Sequence, residues 1–334
     1  MITMSEPSQG SRPRRALICG ISGQDGAYLA RLLVDKGYHI AGTSRDAATM
    51  SLRGLRLLGL EDSVERLSMA PNDFRSVLQT VRRAEPDEIY FLAGQTSVGL
   101  SFEQPVEAIE SVSIGVLNLL EAIRFIGRPV RLYNAGSSEA FGDTGGHPAT
   151  RAAAYRPRSP YAVAKATAQM LVENYREAYA LFACTGILFN HESPLRPERF
   201  VTQKIVQAAR RIAAGTGEPL KLGNLEIDRD WGWAPDYVEA MWLMLQRDIP
   251  EDFVVATGRT VSLEYFVKAA FAHFGLDWRE HTSSDRSLLR PSDIRHSAAD
   301  VAETTVRLGW TAQHDVDDVI RMMCESPGPA TDGR

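Results

Sequence analysis

Cysteine is scarce. Cys19, Cys184 and Cys324 stand far apart in a chain of 334 residues, with no C-x-x-C pair. That excludes a disulfide framework and a cysteine-rich zinc site, and it fits a reducing cytoplasm, where the protein is expected. No metal site is expected. No apolar stretch reaches the length of a membrane span. Basic runs are missing too: acids exceed bases 42 to 37, for a formal net charge of −5. A mildly acidic chain of this kind suits neither nucleic acid nor an anionic membrane, and no partner of either sort is expected. Arg14–Arg15 precede a short apolar run, but Gly20, Gly23, Gln24 and Asp25 interrupt it, so no signal peptide or twin-arginine leader is expected. Lysine is rare as well, with five residues against ten tyrosines.

What is present is an ordinary globular composition, 44% hydrophobic and 24% charged, able to bury a large core. At roughly 150 residues per domain the length suggests two lobes, or one large domain with a cap. Residues 1–14 and 326–334, rich in Ser, Pro and Gly, read as disordered tails. Between them short apolar runs alternate with helical patterns. Strands are expected at Ala16–Cys19, His39–Thr43, Glu88–Leu92, Arg131–Asn134 and Thr185–Phe189. Helices are expected at Ala27–Lys36, Ser76–Arg83, Ser113–Phe125 and Ala162–Tyr179. This is the signature of an α/β fold with a doubly wound, Rossmann-like parallel sheet buried on both faces. Beyond about residue 190 the pattern loosens into helix Val201–Gly215, helix Asp236–Gln246 and strand Asp252–Ala256. The expected organisation is a cofactor domain over 15–189, completed by segments near 230–260, and a smaller, interleaved substrate-binding lobe over 190–325.

Gly20-Ile-Ser-Gly23-Gln-Asp-Gly26 follows the first strand and opens the first helix. In such a turn one glycine permits the tight bend, another lets a pyrophosphate approach the backbone, and a third allows close helix–strand packing. The spacing is G-x-x-G-x-x-G, so the strand–turn–helix context carries the reading. The second strand ends in Gly42-Thr-Ser44-Arg45-Asp46. Arg45 there favours the 2′-phosphate of NADP; in the other reading Arg45 is a solvated side chain and Asp46 binds the ribose of NAD.

Tyr161-Ala-Val-Ala-Lys165 opens a helix and places the two side chains four residues apart on one face. A nearby ammonium lowers the pKa of a phenol and lets it act on a hydroxyl or carbonyl. Upstream, strand Arg131–Asn134 ends in Ala135-Gly136-Ser137-Ser138-Glu139. Ser137 or Ser138 could hydrogen-bond the oxygen on which Tyr161 acts. Alcohol–ketone redox chemistry needs hydroxyl, Tyr and Lys but no carboxylate. Glu139 therefore points to removal of a carbon-bound proton beside a newly formed ketone, unless it serves only as a cap or a salt bridge at the strand exit.

These residues resemble the extended short-chain dehydrogenase/reductase family, and more narrowly its GDP-mannose 4,6-dehydratase branch, from about Ala16 to Met323. The likeness rests on Gly20–Leu29 (GISGQDGAYL), Leu92–Val98, the Ser-Ser-Glu strand end and Pro157–Lys165 (PRSPYAVAK). Gly186–Pro194 (GILFNHESP), Leu222–Trp233 and Asp252–Gly258 (DFVVATG) belong with them. The resemblance implies Ser137, Glu139, Tyr161 and Lys165 as catalytic residues, with Lys165 on the cofactor ribose. It implies an NADP site built from Gly20, Ser22, Gly23, Gln24, Asp25, Gly26, Arg45, Leu92, Ala93 and Gln95, with Tyr161 and Lys165. Leu188 and His191 would flank the nicotinamide, and Arg196 would meet a cofactor phosphate. Ser97, Ser138, Asn190, Val201, Lys204, Arg229 and Arg290 would hold a GDP-sugar, the cations among them facing its diphosphate. The implied reaction is oxidation at C4, elimination of water across C5 and C6, and reduction at C6.

Departures from the family pattern are local. Ser137 replaces the commoner Thr, Ala70 offers no carboxylate to adenine, and Glu107 stands where relatives often carry Tyr or Thr. The loop after Arg45 is shorter than the one relatives use across a tetramer interface, leaving a homodimer or homotetramer open. The rival readings are an NADPH-dependent reductase of 4-keto-6-deoxy sugar nucleotides, a dehydratase of a different GDP-sugar, and a non-catalytic cofactor-binding protein. Glu139 speaks against the reductase.

Overall fold

The structure, a computed structural model, describes residues 12–327. Most of the two expected tails lies outside the described residues. Within them Arg12 and Arg14 are not a tail: Arg12 Nη2 meets Asp87 Oδ1 at 2.8 Å and Arg14 Nη1 meets Glu88 Oε1 at 3.2 Å.

The strands are β1 (Arg15–Cys19), β2 (His39–Ser44), β3 (Val64–Ser68), β4 (Glu88–Phe91), β5 (Arg131–Ala135), β6 (Ala183–Leu188), β7 (Asn190–Glu192), β8 (Leu220–Leu222), β9 (Asp228–Trp233), β10 (Phe253–Val255), β11 (Thr260–Ser262) and β12 (Thr282–Ser284). Seven of them form one sheet in the order β3–β2–β1–β4–β5–β6–β10, every pairing parallel. The chain changes direction of travel across the sheet between β1 and β4. In a doubly wound sheet that switch point opens a crevice beyond the carboxyl ends of the strands.

The principal helices are α1 (Gln24–Asp35), α2 (Arg53–Leu57), α3 (Phe74–Ala84), α4 (Val98–Glu103), α5 (Pro105–Ile109), α6 (Gly115–Ile126), α7 (Pro160–Tyr179), α8 (Val201–Ala213), α9 (Ala234–Gln246), α10 (Leu263–His273), α11 (Trp278–His281) and α12 (Val316–Glu325). Leu29 and Leu33 of α1 pack with Met241 and Met244 of α9 on one face of the sheet. Val77 and Val81 of α3, Leu119 and Leu120 of α6, and Ala168 and Val172 of α7 cover the other. Burial on both faces is what the short apolar runs require. A separate core joins Ile205 of α8, Phe266 and Phe271 of α10, and Val319 and Met323 of α12 around Trp231 of β9. This second core lies in the carboxyl-terminal part, with the small sheet β11–β9–β7 and the pair β12–β8.

Local chemistry sets the helix boundaries. Ser159 caps α7 by accepting from Ala162 N at 3.1 Å, Pro160 occupies the first turn, and Ala180 ends the helix in the left-handed region. The expected helix Ser113–Phe125 is divided: a π-helical turn, Glu110–Ile114, precedes α6. Gly115 sits where an added Cβ would come within 2.7 Å of the Phe91 ring, so the helix starts close against β4.

Two glycines of the first turn are required sterically. Gly20 has φ +90°, and a Cβ there would lie 2.9 Å from Ala93 N. At Gly26 a Cβ would lie 2.4 Å from Gly20 O and 2.7 Å from Ile21 Cα, all backbone. Gly26→Ala is therefore expected to destabilise the fold by about 1–3 kcal/mol, read as a lower urea midpoint with unchanged slope.

Candidate active site

The glycine turn lies at the end of β1, beside the end of β4. Gly23 N donates to Gly20 O at 3.0 Å, and Gly23 caps α1 without any side-chain bond. The first N–H groups of α1 thus stay free, and a Cβ at Gly23 would meet nothing nearer than Gly20 O at 3.3 Å. An uncapped helix terminus behind an open glycine turn suits a dinucleotide pyrophosphate. Arg45 follows β2 with its side chain 79% exposed, and its Nη1 lies 3.2 Å from Glu107 Oε1 of α5. Asp46 is used locally: its Oδ1 accepts from Ala48 N at 2.8 Å.

A cleft opens beyond the carboxyl ends of β4, β5 and β6. Ser137, Glu139, Tyr161 and Lys165 all face it. Ser137 Oγ accepts from Glu139 N at 3.3 Å and so starts a 3-10 turn, Ser138–Phe141. The cap at this strand exit is therefore Ser137. The Glu139 carboxylate makes no hydrogen bond or ion pair among the described residues. Burial holds its pKa above the ordinary carboxylate value, against the opposing charges of Arg229 and Arg290. A carboxylate raised in this way is suited to take up and return a proton.

Lys165 Nζ donates to Ala135 O at 2.8 Å and lies 5.7 Å from the centroid of the Tyr161 ring. Burial lowers the Lys165 ammonium to about 8, with Asp25 pulling the other way. Lys165 is not among the groups that shift the phenol most. Burial pushes Tyr161 up to about 12, and the relief comes from a hydrogen bond with Ser137 instead. The ammonium is anchored on the β5 carbonyl rather than beside the phenol oxygen, so desolvation dominates.

A buried latch joins the cradle to β7. His191 Nε2 lies 3.0 Å from Asp25 Oδ2, its Nδ1 lies 2.7 Å from Phe189 O, and its ring stacks on Tyr237 at 4.5 Å. Gln24 Nε2 donates to His191 O at 3.2 Å, and Ser193 Oγ donates to Gln24 Oε1 at 2.7 Å. Burial works against both charges. Even so, the His191 imidazolium holds Asp25 down at about 2, and Asp25 holds His191 above 6.5. The raised histidine contributes stability that is full below pH about 6.5 and is lost as pH climbs through its folded value. The depressed aspartate contributes above pH about 3.8 and loses its share as pH falls towards 2. The difference in Tm between the native protein and Asp25→Asn is therefore expected to be largest between about pH 4 and 6.5 and to shrink above that window.

The cleft also gathers other expected residues: Leu92, Ser97, Ser138, Leu188, Asn190, Arg196, Val201, Arg229 and Arg290. Arg229 and Arg290 each approach Asp293 Oδ1 at 3.4 Å. Arg196 pairs with buried Glu192 at 3.2 Å and lies 3.8 Å above the Phe200 ring. Ser22 is exposed on the turn, and Ala93 and Gln95 belong to the loop after β4, where Gln95 N donates to Ser111 Oγ at 3.1 Å. Lys204 is not among the residues lining the cleft; its Nζ donates to Lys221 O of β8 at 2.9 Å. Thr96, Glu192, Arg199 and Phe200 line the cleft unanticipated. Arg199 was legible only as a cation before α8, whose N-terminus has no side-chain cap.

A parallel sheet reversing at β1/β4, a glycine turn at the reversal and a Ser/Tyr/Lys set at β5 and α7 define an extended short-chain dehydrogenase/reductase enzyme. Solved structures share the fold: Thermus thermophilus UDP-glucose 4-epimerase complexed with NAD superposes with a TM-score of 0.80 at 23% identity, covering 94% of this chain and 100% of that one. Bacillus anthracis dTDP-glucose 4,6-dehydratase in complex with NAD gives 0.80 at 16% identity, covering 93% and 95%. The family model described as GDP-mannose 4,6 dehydratase matches residues 17–323. GDP-mannose 4,6 dehydratase 2 of Arabidopsis thaliana is 42% identical over 324 residues, 94% of this chain and 87% of its own. The human GDP-mannose 4,6 dehydratase is 37% identical over 338 residues, 93% and 91%. The chain belongs to the GDP-mannose 4,6-dehydratase family.

Proposed function

We propose that the protein is an NADP-dependent GDP-mannose 4,6-dehydratase, converting GDP-mannose to GDP-4-keto-6-deoxy-D-mannose with loss of water. The observation that carries this reading is the unpaired Glu139 carboxylate facing the same cleft as Ser137, Tyr161 and Lys165. The chemistry that bound NADP supplies is reversible hydride uptake, from sugar C4 and back to C6, so no reductant is consumed. Tyr161 takes the C4 hydroxyl proton while Ser137 hydrogen-bonds the C4 oxygen. Lys165 holds the cofactor ribose. Glu139 removes the C5 proton, acidified by the neighbouring ketone, and passes it to the C6 hydroxyl, which leaves as water; the proton Tyr161 took at C4 balances the one added at C5 as hydride returns to C6. The raised Glu139 carboxyl suits such a shuttle. Walls of protein around the cleft guard the reactive enone from stray water.

The glycine turn supports a dinucleotide and Arg45 supports the 2′-phosphate of NADP. Arg196, Arg199, Arg229 and Arg290, with the uncapped start of α8, support a substrate diphosphate. The sheet with α9 and β10 is assigned as the cofactor part and the rest of 190–325 as the substrate lobe. Exposed Val106, Val163 and Met170 on α5 and α7 support a homodimer through the long helices. The three buried free thiols fit a cytoplasmic setting.

Incubation with GDP-mannose and substoichiometric NADP+ is expected to give a product lighter by one water, with no net reduced nicotinamide. Stoichiometric NADPH consumption on a 4-keto sugar nucleotide, with GDP-mannose untouched, would replace the dehydratase by a reductase.

A further inference from the structure

The outer end of the cofactor trough carries an ion pair that the chemistry above leaves unused. Arg45 leaves β2 into solvent, and Glu107, on α5, reaches across to it at 3.2 Å. Glu107 is not a loose surface acid. Its carbonyl accepts from Ser111 Oγ at 2.6 Å, and the same Ser111 Oγ accepts from Gln95 N of the loop after β4 at 3.1 Å. One turn further on, Glu110 is held by Asn72 Nδ2 at 3.2 Å, on the loop that follows β3. The two acids thus stand on one wall: the backbone at Glu107 is tied through Ser111 to the loop after β4, and the Glu110 carboxylate is tied to the loop after β3. The only cation paired with that wall among the described residues is Arg45.

We infer that Glu107 is a specificity-determining residue that weakens the protein's preference for NADP over NAD, by competing with the 2′-phosphate for the Arg45 guanidinium. This rests on the reading of Arg45 as the 2′-phosphate ligand. A phosphate close to dianionic at neutral pH and a carboxylate sharing one guanidinium sit within a Debye length of each other, so their repulsion acts across water with partial screening. Cofactor lacking the 2′-phosphate has no such charge and does not feel Glu107. The arginine alone would discriminate more strongly than the arginine with its acid.

The test is equilibrium binding of NADP+ and of NAD+ to the full-length protein, its Glu107→Gln variant and its Arg45→Ala variant, by titration calorimetry without substrate. Glu107→Gln keeps the shape and the helix while removing the charge. It is expected to tighten NADP+ by about fivefold and leave NAD+ unchanged, with the gain shrinking in high salt. Arg45→Ala is expected to weaken NADP+ by about tenfold or more and spare NAD+. If Glu107→Gln leaves NADP+ binding unchanged or weaker while Arg45→Ala weakens it, the role of Glu107 is overturned and the arginine reading stands. If Arg45→Ala changes neither cofactor, the arginine reading fails and this inference fails with it.

Discussion

Replacing Glu139 by glutamine is expected to lower turnover of GDP-mannose by about a thousandfold, without preventing oxidation at C4. The carboxylate faces the cleft without a partner, so the amide leaves nothing behind unsatisfied and the fold should persist. Only the proton at C5 loses its acceptor. In a single-turnover experiment the variant should therefore accumulate reduced nicotinamide and a 4-keto hexose still bearing its C6 oxygen. Native enzyme working in deuterated water should place deuterium at C5, and the variant should not. Because burial raises the Glu139 carboxyl, the acid limb of the native kcat/KM profile should lie above the usual carboxylate range. Undiminished water loss in the variant would remove the basis for elimination and revive the reductase reading.

Tyr161→Phe is expected to cost roughly 10³- to 10⁴-fold, but with the opposite intermediate pattern. The phenol is the group that takes the C4 proton, so its loss blocks the first step, and no reduced nicotinamide should appear even in a single turnover. Substrate affinity should barely change, since the ring remains to pack at the start of α7. The pair of variants thus separates the two proton transfers: one stops after oxidation, the other before it. Accumulation of reduced nicotinamide in Tyr161→Phe would assign the first proton to another group.

Much of this was readable from the chain alone, for identifiable reasons. Strands β1, β2, β4, β5 and β6 are short and covered on both faces, so they read as apolar runs, and each lies within a few residues of its expected place. The second core was harder to read. β7, β8, β11 and β12 are three residues each, too short to show a period, and α10 and α12 bury one stripe against each other and around Trp231. The π-helical turn at Glu110–Ile114, just before the close approach of Gly115 to the Phe91 ring, carries no local signal. At the site, residue types and their order placed Ser137, Glu139, Tyr161 and Lys165 in one cleft. The direction of the Tyr161 shift was not legible, since it depends on how far the phenol and the ammonium are removed from water and on the carbonyl that holds Lys165.

The last strand and one covering helix of the large sheet come late in the chain. α9 lies against α1, and β10 closes the edge beside β6, after the intervening stretch has built part of the second core. On the ribosome, the first six strands must therefore wait, one face bare around Leu29, Leu33 and Tyr133, until about Gln246 has been synthesised. A nascent chain stalled or cleaved before that point offers a broad greasy surface to chaperones and to other copies of itself. Truncation after residue 189 should accordingly yield aggregate rather than an autonomous nucleotide-binding unit.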